Sequence, residues 1–235
     1  MTTKGPREPA LTEEDICQRV RDSVLEQRLA PGTKLTEESL CGVFGVGRTT
    51  VRRAFLLLSR DNIVELQRNK GAVIASPSPD EARQVFDARR TVEAALLSRA
   101  AENASAENIK QLRGHLAEEK DALGRADIAR WIRLTGEFHL HLAKIAGNDP
   151  MFQFLEQLVF RSSLIITLYG RHGRAAHSCK GDEHTRIVDA IEARDHSTAQ
   201  AVMLEHLNEI EATLSFERTS PSGDLHQIFG MAHAS

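Results

Sequence analysis

Between residues 36 and 59 the apolar positions fall at helical spacing twice, with a break between them. Thr36 can cap a short helix over 37–43 by accepting a hydrogen bond from an orphan backbone N–H, and Gly45 lies in the turn that follows, where positive φ is cheap. The next run places Val51, Ala54, Phe55 and Leu58 at i, i+3, i+4 and i+7, a single stripe that must face a core. Arg48, Thr49, Arg52 and Arg53 fall outside it, and from Ser39 to Arg60 there are four arginines and no acidic residue. A turn followed by a cationic helix with hydroxyls at its start is the pattern of a helix-turn-helix whose second helix lies in a DNA major groove. Residues 62–75 then read as two short strands joined at Asn69-Lys70-Gly71, with Gly71 supplying positive φ. A hairpin in that place is a wing, and Arg68 and Lys70 at its tip are within reach of phosphates or the minor groove.

Upstream, Thr12 caps a helix whose first turn holds Glu13, Glu14 and Asp15, where acids suit the helix dipole. Ile16, Val20, Val24 and Leu25 form its apolar stripe, and Pro31-Gly32 ends it, so this helix should back the recognition unit. Residues 1–11 read as a flexible arm, 12–75 as a winged helix-turn-helix domain and Ser76-Pro77-Ser78-Pro79 as a stiff linker. From 80 to 218 the pattern is helical, with helices expected at 80–102, 106–122, 126–146, 150–170, 180–194 and 196–218. Six helices with short connections make an antiparallel bundle, and 219–235 read as a weakly ordered tail. The fold class expected is therefore mainly α, an N-terminal winged helix-turn-helix followed by an all-helical bundle.

A chain of 235 residues is comfortable as two domains. Residues 1–75 carry 12 Lys/Arg against 10 Asp/Glu, and the remainder 18 against 23, which places the nucleic-acid footprint at the N-terminal end. Cys17, Cys41 and Cys179 are far apart, so neither a disulfide framework nor a thiolate metal site is indicated. No apolar run approaches the length of a membrane span and the N-terminus lacks a signal-peptide core, so a cytoplasmic protein is expected.

Three histidines stand out by position. His184 lies about ten residues before the break at Asp195 and His206 about eleven after it, which puts both at one height on adjacent helices of a hairpin. His139 precedes the Gly147-Asn148 break by a similar distance. Three imidazoles from three helices could hold a divalent metal, although lone histidines on helices are more often surface or hydrogen-bonded core residues.

The N-terminal third resembles the GntR family of bacterial transcription regulators. The resemblance rests on Pro31-Gly32-Thr33-Lys34-Leu35, Leu40-Cys41, Phe44-Gly45-Val46-Gly47-Arg48-Thr49-Thr50-Val51-Arg52 and Asn69-Lys70-Gly71-Ala72-Val73. Gly47 stands where the family usually has Ser or Thr, Asn62 where it has Gly, and Arg53 where Glu is common. Phe138-His139, Ala146-Gly147-Asn148, His184 with Ile187-Val188-Asp189-Ala190-Ile191, and His206-Leu207 are similar to the FCD effector-binding domain of the FadR-like branch. That resemblance implies a divalent ion, expected to be Zn2+, on His139, His184 and His206, with Thr135 standing where many members have an aspartate ligand. It also implies that Arg89, within Asp87-Ala88-Arg89-Arg90-Thr91-Val92-Glu93, faces the effector, although a salt bridge to Glu93 at i+4 is the other reading. Arg133 and Arg161 are further candidates for the effector cavity, and Trp131 and Tyr169 could line it or pack.

The expectation is a homodimeric repressor rather than an enzyme. Arg48, Thr49, Thr50, Arg52, Arg53, Lys70 and Gly71 would meet a palindromic DNA operator, and a small carboxylate held near the three-histidine metal would control that binding. A regulator that senses the metal itself, or a zinc hydrolase, are the alternatives.

Overall fold

A computed structural model describes residues 11–68, 70–170 and 182–216. The expected arm, apart from Leu11, lies outside these residues, as do Asn69 at the wing turn, His172, His177, Cys179 and the expected tail. The N-terminal unit runs α1 (Glu13–Leu25), β1 (Lys34–Leu35), α2 (Glu37–Phe44), α3 (Arg48–Arg60), β2 (Val64–Gln67) and β3 (Gly71–Ile74). Thr12 caps α1 in a reciprocal box with Asp15, and Thr36 caps α2 by accepting from the Ser39 N–H. Gly45 closes α2 in the left-handed region at φ 65°. On α3, Val51, Ala54, Phe55 and Leu58 are the buried residues, the stripe that the spacing defines.

The sheet has three strands in the order β1-β3-β2, all antiparallel. Strand β1 is an addition to the expected hairpin. Its two residues pair Lys34 with Val73 and Leu35 with Ala72, and flanking backbone bonds, Gly32 N–H to the Ile74 carbonyl and Ile74 N–H to the Thr33 carbonyl, extend the seam. Asn62 holds φ 56° before the wing, a conformation that asparagine tolerates and that glycine would take freely.

The remaining helices are α4 (Pro79–Asn103), α5 (Ala106–Gly124), α6 (Ile128–Ile145), α7 (Asp149–Tyr169), α8 (Glu183–Glu192) and α9 (His196–Ala212). All six expected helices are present. Pro79 belongs to α4 rather than to a linker, because Ser78 caps that helix in a second reciprocal box with Glu81. Helix α4 is the axis of the bundle and packs on α6, α7 and α9, while α5 lies against α6 and α8.

The core does not stop at the expected boundary. Val24 and Leu25 of α1, the stripe of α3, and Leu155, Val159 and Phe160 of α7 belong to one continuous buried cluster. A Cβ placed on Gly136 of α6 would touch both Leu25 and Val159 at 3.6 Å, so α1 is seated directly on α6 and α7. Helix α1 thus backs α3 on one side and the bundle on the other.

Candidate functional site

Helix α3 presents Arg48, Thr49 and Arg52 to solvent, with Thr50 half-buried. Arg48 and Arg52 share one groove with Lys34 of β1 and with Lys70 and Gly71 of the wing. The Arg52 Nε donates to Glu37 Oε1 at 2.8 Å, an exposed pair that holds the guanidinium along the groove. Arg53 does not line this groove; it reaches α1, where Nη1 lies 3.4 Å from Glu13 Oε1. Lys34 was not singled out from the sequence, since a two-residue strand is too short for alternation to reveal its exposed side.

The bundle brings His139 of α6, His184 of α8 and His206 of α9 together. A ligand nitrogen from each lies within 4.8 Å of the others, and the ring centroids are 5.6 Å apart for 139 and 184, 5.4 Å for 139 and 206, and 4.9 Å for 184 and 206. All three are buried, and Phe138 stacks on the His184 ring at 4.0 Å. Each Nδ1 faces a carboxylate: His139 to Glu93 Oε2 at 2.5 Å, His184 to Glu119 Oε2 at 3.0 Å, and His206 to Glu183 Oε2 at 2.6 Å. The Nδ1 atoms are thereby committed, and the Nε2 of His184 is buried with no hydrogen-bond partner among the described residues.

Burial pushes the Glu93 carboxyl up, but Arg89 and His139 outweigh it and hold Glu93 at about 2. Burial also drives His139 down to about 3 against the pull of Glu93. The pair therefore stands as carboxylate and neutral imidazole, the state in which a ring nitrogen can ligate a metal. Glu119 is likewise held at about 2, burial being overcome by hydrogen bonds from His115 and His184. His206 is lowered, chiefly by burial.

Arg89 is 3% exposed and makes the salt bridge to Glu93 that its i+4 spacing suggests. Its Nε donates to Glu93 Oε1 at 2.7 Å and its Nη1 to the Ser162 hydroxyl of α7 at 3.0 Å, while Nη2 is buried without a partner among the described residues. Its charge acts on both His139 and His206, which places it beside the cluster.

The other expected effector residues have partners of their own. The Thr135 hydroxyl donates to the Ile132 carbonyl at 2.8 Å, bonded back to its own helix. Arg133 pairs with Glu137 at 2.7 Å and with Glu26, the residue that caps the end of α1, at 3.6 Å, so it braces the bundle against the winged unit. Arg161 pairs with Glu81 at 2.6 Å and borders a cleft beside Val64 and Pro77. Trp131 packs with Ala122 and Leu134, and the Tyr169 hydroxyl donates to the Pro77 carbonyl at 2.9 Å. Conversely, Glu119, Glu183 and Ser162 belong to the site and were not anticipated. Cys17 is buried, with its thiol on the Ala54 carbonyl, and burial pushes it up to about 11, as befits a core residue.

A winged helix seated on a helical bundle with a buried polar centre defines a DNA-binding transcription regulator carrying its own sensor domain. Residues 12–74 match the bacterial regulatory proteins of the gntR family, and residues 84–209 match the FCD domain. The chain belongs to this family of regulators and is not an enzyme. It is 24% identical over 213 residues to the HTH-type transcriptional repressor RspR of Escherichia coli K12, covering 91% of this chain and 92% of that one. It is 29% identical over 228 residues to the transcriptional repressor NanR of Cronobacter sakazakii, covering 86% and 84%. Its fold is shared with E. coli McbR/YncC at a TM-score of 0.76 and 16% identity, covering 85% and 95%, and with a GntR regulator from Rhodococcus sp. RHA1 at 0.73 and 20%, covering 94% and 99%. Among the described residues no helix is long and apolar enough to cross a membrane.

Proposed function

We infer that this chain is a cytoplasmic, homodimeric repressor whose hold on its operator is set by a small carboxylate bound at a divalent metal on His139, His184 and His206. The observation that carries the reading is that two buried nitrogens at or beside the cluster, the His184 Nε2 and the Arg89 Nη2, have no hydrogen-bond partner among the described residues. Leaving such groups unsatisfied is costly, and a metal with an anionic ligand answers both. Neutral imidazoles suit zinc at about 2.0–2.1 Å. With Thr135 bonded back to its own helix, the coordination position that an aspartate would take is left for an exogenous oxygen. Arg89 can donate Nη2 to the far end of that anion, since a guanidinium suits a carboxylate.

Arg48, Thr49, Thr50 and Arg52 would read or clamp the major groove, with Lys34, Lys70 and the Gly71 turn on the flanking backbone. Arg53 is the least engaged of the expected DNA contacts, being directed at Glu13. Dimeric binding to a short imperfect palindrome follows from the few base pairs that one helix can read. The naming of RspR and NanR as repressors supports the direction of control.

The test is metal analysis of protein purified without chelator or nickel column. One ion per chain in wild type and none in His184→Ala is the expected result. A metal content near zero in wild type would reduce the histidines to polar lining of the bundle. If zinc alone shifts operator affinity and no carboxylate does, the ion itself is the signal.

A further inference from the structure

Each histidine of the cluster leans on a different buried carboxylate, and the three carboxylates come from three helices: Glu93 from α4, Glu119 from α5 and Glu183 from the first turn of α8. They are 2%, 8% and 4% exposed. We propose that Glu93, Glu119 and Glu183 are positioning residues for a divalent cation, which fix the three imidazoles as Nδ1–H tautomers and supply the negative charge that Thr135 does not. This rests on the metal reading above and goes beyond it.

The hydrogen bonds determine the tautomer. A carboxylate only accepts, so the Nδ1 facing it must donate, and a neutral imidazole then has its lone pair on Nε2. With Nδ1 committed on all three rings, the nitrogens left for a ligand are the three Nε2 atoms, and that of His184 is buried with no hydrogen-bond partner among the described residues. The same bonds brace α4 to α6, α5 to α8 and α8 to α9, so the rings are held in place before an ion arrives. Glu119 is itself held from its other side by His115, whose Nε2 lies 3.4 Å from it and 2.8 Å from the Leu134 carbonyl.

The test uses the full chain and zinc alone, titrated in competition with a chromophoric chelator, together with 15N-edited histidine spectra of the metal-free protein. Wild type should show His139, His184 and His206 as Nδ1–H tautomers without metal. Glu119→Ala should weaken zinc binding by about 10–100-fold and release the His184 tautomer. Glu119→Gln, which keeps an oxygen acceptor and the side-chain volume but loses the charge, should keep the tautomer and still bind zinc more weakly. Nε2–H tautomers in the metal-free wild type, or equal zinc affinity in wild type and both variants, would overturn the role of the glutamates. A wild-type chain that takes up no zinc would instead contradict the metal reading itself, so the two failures are distinguishable.

Discussion

Gly71→Ala is the substitution whose consequence follows most directly from the geometry. Gly71 sits at φ 86°, where an L side chain is strained, and a Cβ there would collide with the Leu35 carbonyl of β1. The left-handed backbone costs about 1–2 kcal/mol, and forcing an extra carbon into a packed contact costs about 1–3 kcal/mol. Strand β1 contributes only two paired residues, and each hydrogen bond is worth about 0.5–1.5 kcal/mol net. The strain is therefore comparable to or larger than the seam that would have to yield. The expected outcome is separation of β1 from β3 rather than unfolding of the bundle, with Lys34 and Lys70 displaced from the groove that they share with Arg48 and Arg52. Fluorescence anisotropy with operator DNA over a series of salt concentrations measures this, and Gly71→Ala should bind more weakly with a shallower salt slope, while helical circular dichroism stays that of wild type. Wild-type affinity and salt slope in Gly71→Ala would refute the wing as a phosphate-binding element.

Arg48→Ala should cost about 1–3 kcal/mol on operator and much less on scrambled DNA, whereas Lys70→Ala should weaken both alike and flatten the salt dependence; competition binding on the two sequences at matched salt separates them. Zinc at a hundredfold excess over its dissociation constant should stabilise the chain by about 2.7 kcal/mol, raising the melting temperature by several degrees in a scan with and without chelator. His184→Ala should show no such rise. Asp195 caps α9, the helix that carries His206, and hydrogen bonds from Thr198 and Ser197 hold its carboxyl at about 2, below its ordinary 3.8. A depressed acid contributes stability that is present above the ordinary value and lost as pH falls through the folded one. Asp195→Asn, an equally good cap, should keep neutral-pH stability and lose less between about pH 4 and 2, as read by acid titration of circular dichroism.

The helix-turn-helix was legible because the buried positions of α3 form one unbroken stripe, which leaves the arginines nowhere but outside. The convergence of the histidines was legible because a helical hairpin sets positions equidistant from its turn at one height, as His184 and His206 are. Their supports were not, since Glu93 lies 46 residues from His139 and Glu119 65 residues from His184, and no local pattern links them. Arg133 and Arg161 show the same limit: periodicity told which face of a helix is polar but not which neighbour covers it, and here that neighbour is the winged unit or its connection. Ser76-Pro77-Ser78-Pro79 reads as a boundary, yet an apolar stripe cannot say whether it packs on one partner or two. Val24 and Leu25 of α1 join α3 and α7 into one core across it.

The central claim is that operator binding is coupled to a carboxylate held at the three-histidine centre. It is tested most directly by operator anisotropy on metal-free and zinc-loaded protein, titrated with organic acids that raise the melting temperature of the zinc-loaded form. The account predicts that such an acid weakens operator binding when zinc is present, and that removing zinc or replacing Arg89 with Met abolishes the effect. An acid that releases the operator equally well from zinc-free protein and from His184→Ala would contradict it.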